Sequence, residues 1–359
     1  MKIKSSAPGR ICLFGEHQDY LGFPVIAAAI DLRVEVEGSV SSGSGAKVDL
    51  RDLKEIIEFS FLDISYTHKQ DYLRSVVNVL KKKGFYTPRQ IEAAITGNVP
   101  IRSGTSSSAA FSVSWTGFLL EAMGHYRKGG FQRDPAAVAE LAYQAEVIEF
   151  NESGGRMDQY TSAIGGIVYL DFYDLMTPTP LPQALHQFVL GDSLQPKDTQ
   201  KTLKRVRTAQ EDAFLELSKH LKFKDNFHIT YDEAEPYFDR ISSELLPYLK
   251  AALMNHHITD AAREEISKQN PDILRIADLM NRHQDYLRDN LRISTEKIDH
   301  MLNCALEAGA LAGKINGSGE GGCMFAFCPG KQQEVAEAIK KAGGVPYIIN
   351  IGKGLEVLS

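Results

Sequence analysis

The stretch PIRSGTSSSAAF, residues 100–111, leads from a strand-like segment through a loop of glycine and serine into a helix. The residues after the loop carry apolar side chains at helical spacing. The first turn of a helix has backbone N–H groups without intrahelical partners, and the macrodipole adds partial positive charge there. Small residues let phosphate oxygens approach that backbone, so the stretch predicts a phosphate site. The alternative is an ordinary serine-capped helix after a flexible loop.

This loop differs from a Walker loop in its cation. The GxxxxGK[ST] pattern is absent, and no lysine stands in the loop. Arg102 is the candidate for the missing cation, and the hydroxyl of Ser107 or Ser108 is a candidate ligand of Mg²⁺.

A second segment, AEVIEFNESGGRMDQYTSAIGG (145–166), places acidic side chains around a Gly-Gly break. Glu146 lies on a predicted helix. Asp158 follows the glycines, where bare backbone lets a ligand approach closely. We expect Glu146 near a metal ion and Asp158 near a substrate hydroxyl. The alternative is a solvated acidic face formed by Glu146, Glu149 and Glu152, and we favour it for the last two.

A glycine-rich turn lies between two apolar strands in KINGSGEGGCMFAF, residues 314–327. Four glycines within six residues exceed what a single turn needs, so we expect a ligand to approach closely. The alternative is a bulged hairpin. The turn does not place GxGxxG between a strand and a helix, which excludes a Rossmann element.

The N-terminal segment PGRICLFGEHQDYLG, residues 8–22, carries four polar side chains beside apolar ones: Arg10, Glu16, His17 and Asp19. This density of charge predicts a polar site walled by a hydrophobic core. For His17 alone, the alternative is a histidine whose hydrogen bonds fix the turn.

Composition excludes several classes of protein. The chain has 359 residues, a formal net charge of −6, 43% hydrophobic and 24% charged residues, which are ordinary globular values. Mild acidity argues against a nucleic-acid partner, which requires a basic footprint. The four cysteines show no zinc spacing and are too few for a disulfide framework. No leader-like apolar run and no window of about 20 apolar residues is found, so we expect a cytoplasmic protein without a membrane partner.

Prolines at 178, 180 and 182 mark the predicted boundary between domains 1–180 and 181–359. The residue patterns predict helices at 70–84, 135–151, 294–309 and 331–342, and strands at 24–38, 91–99, 163–172, 187–191, 312–316, 323–328 and 346–351. The stretch 204–293 is helical in pattern and carries no motif. Interleaved strands and helices with hairpin-like returns predict α+β layers rather than a doubly wound sheet.

Taken in order, the four segments resemble the GHMP small-molecule kinases, and within them the galactokinase branch. The galactokinase signature GRxNLIGEHxDY corresponds to residues 9–20, and the phosphate loop PxGGGLSSSA to residues 100–109. The element GxMDQ corresponds to residues 155–159, and the late motif TGGGFGGC to residues 316–323. Because the four motifs occur in the family's order, the resemblance covers residues 5–328.

The resemblance implies a two-domain α+β GHMP kinase fold, with a first domain similar to ribosomal protein S5 domain 2 and a ferredoxin-like second domain. It implies transfer of the γ-phosphoryl of ATP, with Mg²⁺, to a hydroxyl of a monosaccharide, in galactokinases the anomeric one. The expected state is a monomer or homodimer. Asp158 would be the base or hydroxyl-orienting carboxylate, and Arg10 would stabilise charge at the transfer centre. The implied binding residues are Glu16, His17, Asp19 and Gly155 for the sugar, Arg102, Ser103, Gly104, Thr105, Ser106, Ser107 and Ser108 for the nucleotide, and Ser108 and Glu146 for Mg²⁺.

Several positions depart from the family pattern, and they bear on the substrate. Galactokinases present a sugar-contacting tyrosine that has no counterpart in residues 191–203 here. Lys197 in that stretch leads to the hypothesis of an acidic sugar. We therefore predict a sugar kinase and leave the sugar open. The other departures are Cys12 for asparagine, Arg102 for glycine, Thr105 for leucine, Glu320 within the glycine motif, and the charged neighbours Asp198 and Lys201.

Four alternatives remain open at this point. One is a catalytically inactive relative that senses ATP and sugar, against which the intact Arg10, Asp158 and Ser108 argue. The second is a GHMP kinase that acts on another small alcohol, and the third is a GHMP decarboxylase of the isoprenoid pathway. The fourth is a nucleic-acid module on an S5-like fold, which the net charge of −6 disfavours.

Overall fold

Two β-sheets with helices packed on them make up the fold. A computed structural model describes residues 1–101, 103–152, 154–173, 177–182 and 185–359. Within these residues the strands are β1 (Lys2–Phe14), β2 (Val25–Ser41), β3 (Gly45–Leu50), β4 (Glu55–Ser60), β5 (Gln90–Gly97), β6 (Ile167–Asp171), β7 (Thr177–Leu181), β8 (Phe188–Asp192), β9 (Ala312–Ile315), β10 (Cys323–Phe327), β11 (Val345–Ile349) and β12 (Glu356–Leu358). The α-helices are α1 (Tyr72–Lys82), α2 (Ser107–Ala122), α3 (Pro135–Tyr143), α4 (Met157–Ile164), α5 (Thr199–Leu217), α6 (Tyr231–Ala234), α7 (Leu246–Ile266), α8 (Ile273–Asp285), α9 (Glu296–Glu307) and α10 (Gln332–Lys341).

The first sheet has the strand order β12-β1-β2-β5-β3-β4, and β6 joins it by pairing with β2 and β7. Strand β3 runs parallel to β5, and the other pairs are antiparallel. The two-residue period predicted for β2 is confirmed. Val34 and Val36 are buried, whereas Glu37, the residue after Val36, is exposed. These valines share a core with Trp115 of α2, whose indole N–H donates to the carbonyl of Leu73 in α1.

The second sheet has the order β11-β8-β10-β9, and all its pairs are antiparallel. One face packs on α9 and α10 through residues such as Val189 and Met324. The other face, with Phe188 and Phe325, packs on α7 and α8 and also on β1 through Ile11. The second core therefore joins the two sheets, and the N-terminal signature lies at their junction.

The α+β layers agree with the sequence prediction, and two predicted elements have different bounds in the structure. The strand predicted at 163–172 begins only at Ile167, because its first residues end helix α4. Gly165 and Gly166 that follow have positive φ angles, a backbone conformation that ends helices. The helix predicted at 135–151 is α-helical to Tyr143 and continues to Ile148 as a wider π-helical turn.

The division predicted at residue 180 stays a prediction, and one segment crosses it. Strand β12 pairs with β1 of the first sheet, and Ile351 bridges to Ile30. Residues 350–358 thus return to the sheet that the first half of the chain builds. Among the described residues, no helix has the length and apolar character that crossing a membrane requires.

Candidate active site

Two loops from distant parts of the chain meet at the predicted phosphate site, the phosphate loop (residues 103–108) and the glycine turn (residues 316–322). The side-chain amide nitrogen of Asn316 donates to the carbonyl of Gly104 at 2.9 Å. A Cβ added to Gly322 would lie 2.4 Å from a carbonyl oxygen of the phosphate loop. The other glycines of the turn also face protein atoms. These glycines therefore make room for other parts of the protein, whereas the sequence pattern predicted the close approach of a ligand.

The serines and threonine of the phosphate loop divide into two groups. The hydroxyls of Ser103 and Thr105 both donate to the carbonyl of Pro100, at 2.8 and 3.1 Å, and so fold the loop on itself. Ser106 precedes helix α2 with a φ of 59°, and its buried hydroxyl has no partner among the described residues. Ser107 is the first residue of α2, where backbone N–H groups lack intrahelical partners. The unpartnered hydroxyl of Ser106, at the N-terminus of α2, therefore fits the phosphates of ATP.

Arg10 and Asp158 form the charged pair at the centre of the site. The Arg10 Nε and Nη2 atoms lie 2.9 and 2.7 Å from the Asp158 Oδ1 atom, and Nη1 donates to the carbonyl of Gly104. Arg10 comes from β1 and is buried, whereas the Asp158 side chain is 32% exposed in the first turn of α4. Burial opposes the charge on Arg10, but the attraction and hydrogen bond of Asp158, together with the nearby Cys12 and Glu16, outweigh it in sum and raise the pKa of the guanidinium. The structure thus ties the predicted base to the phosphate loop through one arginine.

Asp19 lies against the Gly-Gly break, so Asp19 and Gly155, two residues that the family resemblance implies as sugar contacts, are neighbours. A Cβ added to Gly155 would lie 1.7 Å from the Asp19 Oδ2 atom, so only glycine leaves this carboxylate in place. The backbone N–H of Tyr20 donates to the Asp19 Oδ1 atom at 3.0 Å. Burial, together with the charge of Asp158, raises the pKa of Asp19 to about 6. The carboxylates of Asp19 and Asp158 therefore lie close enough for the charge of Asp158 to raise the pKa of Asp19.

Glu146 and Ser108, the two residues that the resemblance implies for Mg²⁺, are hydrogen-bonded to each other. Glu146 is 6% exposed, and its Oε2 atom accepts a hydrogen bond from the Gln159 amide at 2.8 Å. Burial raises its pKa to about 7, against the hydrogen bonds of Ser108 and Gln159. Within the described ranges no cluster of three His, Cys, Asp or Glu side chains could hold a metal alone. Mg²⁺ is commonly held by one or two carboxylates plus nucleotide phosphates, so this carboxylate–hydroxyl pair fits it.

Glu16 is placed differently from an implied sugar contact. It is 1% exposed and forms an ion pair with the Lys314 ammonium, which is fully buried and also donates to the carbonyl of Cys12 at 3.1 Å. This pair joins the N-terminal signature to β9 instead of facing solvent. The geometry therefore argues against a substrate contact for Glu16. A lysine inside an otherwise apolar strand was the sequence signal for this partner.

His17 uses both ring nitrogens within the protein. The Nε2 atom lies 2.9 Å from the carbonyl oxygen of Ser318, and the Nδ1 atom lies 2.9 Å from the hydroxyl of Tyr20. Burial lowers the pKa of His17 to about 4, so the ring is neutral and Nε2 donates to the carbonyl. This arrangement matches the alternative that a histidine fixes the turn.

Glu149 does not belong to a solvated acidic face. Its side chain is 17% exposed, lies 2.7 Å from the Lys82 ammonium and accepts a hydrogen bond from the Tyr66 hydroxyl. The expectation of a solvated face is therefore wrong for this residue, because contacts with distant parts of the chain cover it.

Lys197 lies at the phosphate loop, although the motifs do not include it among the binding residues. Its ammonium donates to the hydroxyl of Ser318 at 3.2 Å and lies 2.5 Å from the place that a Cβ of Gly104 would occupy. Burial, with the charge of Arg10, lowers the pKa of Lys197 to about 8. Arg102, the cation expected in this role, lies outside the described residues. The sequence signal for Lys197 was its departure from the expected tyrosine.

Comparison with family models gives three matches along the chain. The N-terminal domain of the GHMP kinases matches residues 71–166, and the GHMP kinase C-terminal domain matches residues 262–345. The galactokinase galactose-binding signature matches residues 3–40.

Curated relatives carry two different names. A mevalonate kinase of Thermococcus sibiricus is 30% identical, over 99% of this chain and 98% of its own length. A galactokinase of Haemophilus influenzae is 28% identical, over 99% of this chain and 95% of its own length.

Solved structures show the same fold. Galactokinase of Lactococcus lactis, complexed with galactose, superposes with a TM-score of 0.83 at 21% identity and covers 99% of this chain and 95% of its own. Mevalonate kinase of Methanococcus jannaschii gives a TM-score of 0.69 at 18% identity, with 98% of each chain covered. The GHMP kinase fold implied by the sequence motifs is thereby confirmed.

Proposed function

We propose that this chain, which belongs to the GHMP kinase family, transfers the γ-phosphoryl group of ATP to a hydroxyl of a monosaccharide, the anomeric one at C1. The observation that carries the proposal is the pair of carboxylates, Asp19 and Asp158, that share one environment beside the phosphate loop. The galactose-binding signature matched at residues 3–40 includes Asp19 and supports the same substrate class.

The charge of the site favours a neutral polyol. A sugar offers several hydroxyl donors, and an ionised carboxylate is an acceptor only. An acidic alcohol would place a third negative charge beside Asp19 and Asp158, and like charges repel strongly where burial excludes water. A neutral sugar satisfies both carboxylates without that cost.

Asp158 would receive the proton of the attacking hydroxyl. Both Arg10 contacts go to its Oδ1 atom, which leaves Oδ2 for the acceptor. The guanidinium places positive charge beside the phosphate loop. Ser108 and Glu146 would hold Mg²⁺, which when bound neutralises charge on phosphate oxygens. The N-terminus of α2, Gly104 and the Ser106 hydroxyl would hold the phosphates in line with the acceptor.

A mevalonate-type alcohol is the second candidate. It is favoured by the 30% identity to a mevalonate kinase along nearly the whole chain. Lys197 supplies a positive charge that an acceptor carboxylate could use, and for the same reason a uronic acid belongs in any test.

We further propose that the protein acts in the cytoplasm as a monomer or homodimer, without nucleic-acid or membrane partners. The formal net charge of −6 supports the absence of a nucleic-acid partner, because binding to phosphate backbones requires a basic surface.

The test is ADP release from Mg-ATP with a panel of neutral aldoses, uronic acids, N-acetylhexosamines and mevalonate. The blank is Asp158→Asn, which keeps the shape of the side chain and removes the proton acceptor. We expect turnover with a neutral aldose and a loss of at least about 100-fold in kcat in the variant.

Turnover with mevalonate alone would replace the sugar by the second candidate. If Mg-ATP binds tightly and no compound in the panel is phosphorylated, the protein is a nucleotide- and sugar-binding sensor, and the proposal of a sugar kinase is refuted.

A further inference from the structure

Residues 103–108 of the phosphate loop, as the structure describes them, carry no cationic side chain. Walker loops use a lysine to contact the transferring phosphoryl group, and this loop has none. Among the described residues Arg10 places one positive charge beside the loop, but it is engaged by Asp158 and by the carbonyl of Gly104. A guanidinium so engaged has little freedom to follow a phosphoryl group. A second cation at this place would complete the site.

Lys197 reaches that place from the link between β8 and α5. Asp198, the next residue, caps α5 by accepting from the backbone N–H of Lys201 at 3.0 Å, which fixes where the helix begins. On the other side, the backbone N–H of Gly322 donates to the carbonyl of Gln195 at 3.1 Å. The lysine is therefore held between two anchored points, and its side chain extends across the glycine turn to the phosphate loop.

Gly104 is shaped to accept this ammonium. Any side chain at this position would begin 2.5 Å from the Lys197 Nζ atom and 2.7 Å from the carbonyl oxygen of Asn316. The φ angle of Gly104 is +89°, which also favours glycine. The ammonium thus lies directly on the backbone of the loop that is suited to phosphate.

Within the described part of the chain no carboxylate forms an ion pair with Lys197, and its hydrogen-bond partner is the neutral hydroxyl of Ser318. A partly buried ammonium without a counter-ion favours an anion, since burial penalises an unpaired charge. Burial and the charge of Arg10 lower its pKa to about 8. The titratable and charged groups around it are Arg10, His17, Asp158, Asp192 and Cys323.

We propose that Lys197 supplies the missing cation and binds the oxygens of the γ-phosphoryl group of ATP. This inference rests on the proposed kinase function. In the transfer, a bond forms between the acceptor oxygen and the γ-phosphorus, and the bond to the oxygen bridging to the β-phosphorus breaks. The hydroxyl proton goes to Asp158, and ADP leaves. Lys197 keeps its proton throughout and neutralises charge on the transferred group.

Binding of Mg-ATP and Mg-ADP to the full chain tests this without an acceptor. Lys197→Met removes the charge and keeps the length, and Lys197→Arg keeps the charge. As the control, Lys204→Met removes an exposed lysine of α5. We expect Lys197→Met to weaken Mg-ATP about tenfold or more and Mg-ADP less than threefold, because only ATP carries the γ-phosphoryl group. Lys197→Arg and the control should stay within threefold of the wild type. Equal melting temperatures would verify that the variants fold.

The dependence on pH separates the ammonium from a merely structural lysine. Affinity of the wild type for Mg-ATP should fall about tenfold between pH 7.5 and 9.5, as the ammonium loses its proton, and Lys197→Arg should show no such fall.

Three results would overturn the inference. Unchanged binding of Mg-ATP by Lys197→Met would refute the role of the lysine and leave the kinase proposal standing. If, in steady-state assays with an acceptor, Lys197→Met raises only the KM of the acceptor, the ammonium binds the acceptor instead. Failure of the wild type to bind Mg-ATP would refute the kinase proposal, and this inference with it.

Discussion

Gly155→Ala tests the substrate pocket at a single atom. The added Cβ would lie 1.7 Å from the Asp19 Oδ2 atom, far inside the distance at which carbon and oxygen can approach. The carboxylate must therefore move by about 1 Å or more, which the short side chain can do by rotating about its side-chain torsions. The backbone at Gly155 has no positive φ, so alanine itself brings no strain.

The expected loss follows from the hydrogen bonds that Asp19 would make to the acceptor. A hydrogen bond to a charged group contributes about 1.5–3 kcal/mol, and losing its geometry corresponds to about a 10- to 150-fold fall in kcat/KM. The fall should come mainly from the KM of the sugar. Binding of Mg-ATP should be unchanged, because neither Gly155 nor Asp19 contacts the phosphate loop in the described structure.

The neighbouring glycine provides a matched control. A Cβ added to Gly154 would meet only a methyl group of Val147, at 3.7 Å, which is an ordinary contact. Steady-state kinetics of Gly154→Ala should therefore equal those of the wild type within about twofold. If both alanine variants keep wild-type kcat/KM for the sugar, Asp19 does not contact the acceptor and the assignment of the pocket is wrong.

Two other perturbations have outcomes set by charge. With the pKa of Asp19 at about 6, protonation removes its charge and turns one of its two acceptor oxygens into an O–H donor, so kcat/KM for the sugar should rise about tenfold between pH 5 and 7. A flat profile would show that its ionisation is irrelevant. Lys314→Met leaves Glu16 buried without its counter-ion and should lower the free energy of unfolding in urea by about 3–5 kcal/mol. Lys331→Met, which breaks an exposed pair with Glu334, should cost less than about 1 kcal/mol, and equal costs for the two variants would contradict the argument.

Local features of the chain were predictable because they depend on neighbours in sequence. The helix after the phosphate loop, the alternation in β2 and the turn before Asp158 follow from spacing and from glycine positions within a few residues. The four motifs, taken together, identified the family correctly.

Contacts between distant residues were not predictable from one sequence. Glu16 meets a lysine almost 300 residues later, and nothing in its own segment distinguishes a buried ion pair from a substrate contact. The sequence around Glu149 indicates a solvated acid, but in the structure α1 packs on it and Lys82 pairs with it. Strand β1 was missed because its residues from Ala7 to Phe14 are all buried, so they show no alternation.

The site residues likewise divide into those that the sequence predicted and those whose position depends on contacts between distant residues. Arg10, Asp158, Asp19 and Gly155 were predicted by resemblance, and the structure brings them together, while their roles stay predictions. Lys197 was noted only as a departure from the family pattern. Its position over Gly104 depends on how β8, α5 and the glycine turn pack, which is information that no local pattern contains.

The return of residues 350–358 to the first sheet has a consequence for how the protein is made. Asp31 and Asn350 are hydrogen-bonded to each other although they lie 319 residues apart. At about 5–20 residues per second, a ribosome needs roughly 15–60 s to synthesise the chain between them. During that time the edge of β1 that β12 later covers has no backbone partner. Unpaired strand edges are where nascent chains aggregate, so expression at lower temperature or with chaperones that cover β1 should raise the soluble yield.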